Sequence, residues 1–168
     1  MSLSIYDASA PVFIRAFGVL SALLSKAEAY ATAHGLAPEE LVGARLAPDM
    51  LTLAGQVQRA SDTSKGAASR LTGADMPSFP DDEASFADLQ QRIEKTVAYL
   101  RSLDPARFDG AESRPVSLKI GPNPVEFDGK SYLLTFALPN FFFHVTTAYA
   151  ILRHKGLEIG KRDYLGQF

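Results

Sequence analysis

The chain has 168 residues, 46% hydrophobic and 21% charged, with 17 Lys plus Arg against 19 Asp plus Glu and a formal charge of -2. That composition suits one globular domain over residues 1–168, with no block of either sign to attract nucleic acid. There are no cysteines, which excludes disulfides, thiolate nucleophiles and Cys-based zinc sites and makes the cytoplasm the expected compartment.

The N-terminus lacks a signal-peptide pattern, and no apolar run is expected to reach the roughly 18 residues of a membrane span. A helical period opens the chain between Ile5 and His34, with Val12, Phe13, Phe17, Leu20, Leu24 and Ala27 on one stripe, Pro11 in the first turn and Gly35 as the stop. His34, in the last turn, suits the negative end of that helix. A short turn at Pro38-Glu39-Glu40-Leu41 leads to a second long helix, expected to be capped by Asp49 and to run to about Leu71 before Gly73. Met50, Leu53, Val57, Ala60 and Ala67 form its apolar stripe, with Gln56, Asp62 and Thr63 also able to turn inward. After a Pro-containing connection, Ser85 with Asp88 three residues on makes a capping box for a third helix buried through Phe86, Leu89, Ile93, Val97 and Leu100. The preceding Asp81-Asp82-Glu83 reads as acidic charge at the positive end of that helix.

Beyond Asp104-Pro105 the pattern changes. Val116 to Ile120 alternates apolar with polar, Gly121-Pro122-Asn123-Pro124 turns, and Val125 to Gly129 returns, which is a β-hairpin signal. Two strands are marginal alone, so the hairpin must lean on the helices. Ser131 to Leu138 suits either strand or helix, and a fourth helix, broken or kinked at Pro139, is the preferred reading. The tail from Ile159 to Gly166 is expected to fold back over the bundle. The fold class is therefore all-α, four long helices with a small hairpin between the third and fourth.

The most informative stretch is Pro139-Asn140-Phe141-Phe142-Phe143-His144. Asn140 and His144 are one helical turn apart and project from one face, where burial is costly unless they find partners. The aromatics Phe141, Phe142, Phe143 and Tyr149 surround this helix too fully for one core, so one side is expected to meet a partner subunit or the hairpin. Thr147 lies one turn from His144, but the shared helix does not orient the imidazole to deprotonate it. No phosphate-binding glycine loop occurs.

The run Leu138 to Arg153, followed by Gly156 and Ile159-Gly160-Lys161-Arg162-Asp163, together with Pro48-Asp49-Met50 and Gln56-Val57-Gln58, resembles a small bacterial family without established function, grouped with the DinB/YfiT-like four-helix bundles. The resemblance implies an up-down-down-up bundle, often a homodimer, in a superfamily whose better-known members bind nickel or zinc and include thiol transferases and hydrolases. Those relatives use one histidine of the second helix and a His-x-x-x-His pair on the fourth. Here His144 falls on the second member of the pair, Asn140 takes the place of the first, and only Gln56 or Asp62 could substitute on the second helix. Amide oxygens are weak donors beside imidazole, so His144, Asn140, Gln56 and Asp62 make a degenerate metal site at best. His154 lies about 15 Å further along the helix and cannot join it. The expected role is a binding or interaction module with no cofactor, in which His144 and Asn140 form a buried polar network with helix-two groups such as Gln56. The rival is an enzyme using a weakly held divalent ion on a small molecule. Expected partners are a second copy of the chain and a small-molecule ligand, with no nucleic acid and no membrane.

Overall fold

The computed structural model describes residues 3–167, with only the backbone of Ile120. It is mostly helical, with four long helices: α1 (Ala10–His34), α3 (Leu53–Thr72), α4 (Phe86–Ser102) and α6 (Leu138–His154). Between the first two lies the short α2 (Pro38–Val42). Helix α3 packs along α6 on one side and α4 on the other, and α1 closes the ring by touching both α4 and α6. The apolar stripes meet in the middle: Phe13 and Phe17 of α1 present their rings edge-on to Phe141 of α6, at 4.8 and 5.3 Å between centroids. Such edge contacts add stabilisation beyond area burial.

Helix α1 is long and apolar enough to cross a membrane by length and composition, contrary to the sequence expectation, yet half of its most apolar stretch is buried within the bundle. It starts at Ala10, five residues after the period opens at Ile5, with Pro11 in the first turn and Val12 only half buried. Gly35 ends it in the left-handed conformation.

The second long helix begins later than expected. Asp49 lies in an exposed turn, and the cap is Thr52, whose hydroxyl accepts the Gly55 amide at 3.0 Å. The Leu53 amide donates to the Ala44 carbonyl, which closes a loop of turns ahead of the extended Thr52 and leaves Met50 half buried outside the helix. In α4 the Ser85 and Asp88 capping box forms as read, the Asp88 amide donating to Ser85 Oγ at 3.1 Å and the Ser85 amide to Asp88 Oδ2 at 2.9 Å.

Strands β1 (Pro115–Ile120) and β2 (Asn123–Asp128) pair antiparallel across a tight turn at Gly121-Pro122, so β2 starts two residues before the turn signal ended. Val116 and Leu118 bury the inner face. Helix α5 (Gly129–Ser131) then opens the last helical run. A Cβ on Gly129 would collide with the Ala111 carbonyl, so only glycine allows this crossing. The run is not broken at Pro139. It widens into π-helical turns over Tyr132–Ala137 and continues as α6. A proline in regular α geometry would lose one bond and press its ring on the carbonyl four residues back, and the wider turns ahead of Pro139 accommodate it. The tail forms α7 (Lys161–Leu165) against α1, tied by Lys26 to Asp163 at 2.5 Å and by Arg15 to the Leu165 carbonyl at 2.7 Å.

Candidate functional site

The α3–α6 seam carries a ladder of polar pairs. On α3, Gln56, Thr63 and Arg70 recur every seven residues and so share a face. Opposite them in descending order stand His144 and Asn140 of α6 and Tyr132 of the π segment. His144 Nδ1 lies 2.8 Å from Gln56 Oε1, Asn140 Nδ2 donates to Thr63 Oγ1 at 2.9 Å, and Arg70 Nη1 reaches the Tyr132 hydroxyl at 3.5 Å. The opposite numerical order of the partners makes α3 and α6 antiparallel.

Geometry fixes the imidazole tautomer. Gln56 Nε2 donates to the Leu51 carbonyl at 3.2 Å, which leaves Gln56 Oε1 facing the ring, so His144 Nδ1 carries the proton and donates. Burial, with the nearby Arg59 guanidinium, pushes the His144 pKa below its ordinary value and keeps the ring neutral. Nε2 then bears a lone pair. Among the described residues the sealed, unpartnered polar side-chain atoms are Arg92 Nε and Tyr99 Oη. Nε2 has no protein hydrogen bond either, and since it is not among the sealed atoms, solvent reaches it.

Of the four residues read as a degenerate metal site, the structure joins His144 to Gln56 and places Asn140 one rung along, on Thr63. Asp62 is turned to the other side of α3, where its carboxylate meets Lys65 at 3.0 Å, Arg59 at 3.0 Å and Arg92 at 3.1 Å. Among the described residues no three His, Cys, Asp or Glu side chains lie together as a cation cage would require. One imidazole nitrogen, a glutamine whose oxygen is already engaged and a threonine-bound asparagine do not fit a tight nickel or zinc centre. Thr147 donates its hydroxyl to the Phe143 carbonyl at 2.7 Å, so it is not held as a nucleophile for His144.

The α4 side of α3 holds a cluster that the sequence reading missed. Asp81 and Glu83, read as charge at the start of α4, are held by cations. They reach Arg92, Asp81 Oδ1 at 3.0 Å and Glu83 Oε1 at 2.7 Å, while Asp81 also pairs with Arg59. Arg92 and Lys65 are each 1% exposed at the side chain, and Lys65 Nζ sits 3.8 Å from the centroid of the Phe79 ring. The available signal was Lys65 and Asp62 three apart on α3, with Arg92 beside the apolar stripe of the next helix.

The aromatics divide among different neighbours. Phe141 enters the core, Tyr149 meets Tyr164 of α7 edge-on at 5.7 Å, and Phe143 stays 55% exposed beside His144. The rings that meet the hairpin are instead Tyr132 and Phe136, which contact Phe127 of β2 at 6.2 and 6.3 Å.

No curated protein matches this chain. A crystal structure of a DinB family member protein from Shewanella denitrificans is similar at 37% identity, covering 98% of this chain and 93% of that one with a TM-score of 0.90. A family model described as a domain of unknown function, DUF1993, matches residues 5–165. Match and likeness span nearly the whole molecule, so the chain belongs to the DUF1993 family of DinB-like proteins, whose function is unknown.

Proposed function

We propose that this chain is a binding module whose α3–α6 seam receives a small molecule, in an up-down-down-up bundle that works in the cytoplasm as a homodimer. The observation that carries the reading is His144: its Nδ1–H is fixed on Gln56, while Nε2 keeps a lone pair that no protein donor uses and that solvent reaches. An imidazole held this way is a directed acceptor for a ligand hydroxyl or amide proton. A donor set this poor in imidazole and carboxylate supports a ligand held by hydrogen bonds over one held through a cation.

The test joins metal content to tautomer. Untagged protein, and the same protein carrying His144→Ala, are assayed for bound nickel and zinc, and the imidazole nitrogens are followed by long-range proton–nitrogen NMR. The binding-module reading expects substoichiometric metal in both proteins, an Nδ1–H tautomer near neutral pH, and a shift confined to Nε2 on titration with phenol as a neutral hydroxyl donor. Stoichiometric metal that vanishes with His144→Ala, or an Nε2 unmoved by phenol, overturns it. Light scattering over a wide concentration range tests the dimer, which a constant monomer mass would remove.

A further inference from the structure

A cleft of about 340 Å³ lies between Phe79 and α4, but its cation Arg92 and its carboxylate Glu83 are paired with each other in the charge cluster already described. A second one has different chemistry. At the far end of the seam from His144, a cleft of about 330 Å³ opens between α3, the π segment and the hairpin, lined by Arg70, Lys119, Tyr132, Phe136, Asn140 and Leu118, with Thr63 at its side. That volume lies at the small-ligand end of the usual range for binding pockets. Two cations line it and no carboxylate does.

Arg70 is set apart from the other cations of its helix. Arg59 and Lys65 both pair with Asp62, whereas Arg70 has no carboxylate within ion-pair distance among the described residues. It is nevertheless held in place. Its guanidinium folds back over Gly66, where a Cβ would come within 2.5 Å of Nη1, and lies 5.8 Å from the centroid of the Tyr132 ring. The hydrogen bond to Tyr132 Oη is at the limit of length, so most of the donor capacity of the guanidinium fork is left for something else. Beside it, the half-buried Phe136 stacks on the buried Tyr132 at 6.0 Å and 21°, so the Phe136 ring is the apolar wall and Tyr132 backs it. Both rings belong to the π-helical turns, a conformation that recurs at functional sites.

We infer that this cleft binds a small planar anion, an aromatic carboxylate, with its carboxylate on the Arg70 fork and Lys119 and its ring against Phe136. A guanidinium matches a carboxylate with two parallel hydrogen bonds, which a spherical anion cannot reproduce, and the wall adds area only for a ligand with a face. The inference extends the binding reading to a second stretch of the seam and does not need His144.

Titration of the intact protein with benzoate and 2-naphthoate, followed by amide NMR, is expected to shift resonances of Thr63, Arg70, Lys119, Tyr132 and Phe136 at up to about 10 mM ligand. Acetate, inorganic phosphate and benzyl alcohol are expected to bind at least about tenfold more weakly, because the first two lack the ring and the third lacks the charge. Arg70→Gln should weaken benzoate about tenfold or more with unchanged thermal stability. Gly66→Ala keeps every charge but displaces the guanidinium, and should weaken benzoate several-fold. Lys95→Gln, in the other cleft, should change nothing. The inference is overturned if neither aromatic carboxylate moves these resonances, if acetate or phosphate binds as well as benzoate, or if Arg70→Gln retains full affinity. His144→Gln is expected to leave benzoate binding intact, and because phenol is read at Nε2 of the unsubstituted protein and benzoate at the amides around Arg70, failure of one reading is distinguishable from failure of the other.

Discussion

Helix α3 presents two polar faces that behave in opposite ways. Toward α4, Asp62, Arg59 and Lys65 meet Arg92, Asp81 and Glu83 in a cluster where the charges are paired with one another and the sealed Arg92 Nε is left without a partner. Toward α6, Thr63 and Arg70 each make one side-chain bond across the seam and Gln56 makes two, one of them to Leu51, and all three leave capacity over. A paired charge network acts as architecture, pinning the 74–84 connection to two helices. An undersaturated ladder of neutral groups and one cation has valences to offer a ligand.

The largest break in this contrast is expected from Arg92→Met. It leaves Glu83 and Asp62 short of their buried cation and should cost about 3 kcal/mol in denaturant unfolding. Gln56→Leu comes next: it strands the buried His144 Nδ1–H and should cost about 1–2 kcal/mol while releasing the tautomer, visible in the imidazole nitrogen shifts. Lys65→Met should cost under about 1 kcal/mol by the same unfolding assay, because Asp62 keeps Arg59 and Arg92.

Acid should separate the two faces by window. His144 is depressed from 6.5 by burial and Arg59, so its contribution is complete above 6.5 and fades as pH falls through its lower folded value. Glu83 is pushed up by burial but more strongly held down by hydrogen bonds from Arg92 and Gln58, so its contribution is complete above 4.5 and fades only below that. Unfolding free energies of His144→Gln and Glu83→Gln against the parent chain should therefore converge on it in two separate pH ranges, the His144 pair first. Convergence in one shared range would erase the distinction.

Much of the fold was legible because it rests on local chemistry. The Ser85 and Asp88 box, the Gly35 and Gly73 stops and the alternation in β1 are written within a few residues of where they act. The Asp49 cap failed because a long-range bond from Leu53 to Ala44 decides where α3 begins. In the site, the His144–Gln56 pair was readable from polar residues on apolar faces, whereas Asp62 went elsewhere because Arg92 and Lys65, thirty and three residues away, compete for it. The cleft at Arg70 was not readable at all, since it joins α3 to a hairpin whose docking no local pattern encodes.

The widened turns before Pro139 hold in effect one residue more than a regular coil of the same rise would use. That surplus sets the phase between the hairpin end of the helical run and its α6 end. If those turns tightened to regular geometry with every residue kept, all of α6 would swing by about 100° relative to the hairpin. His144 and Asn140 could keep their α3 partners only if Tyr132 and Phe136 lost theirs, so the irregular turns act as the spacer that lets both ends of the seam face inward together.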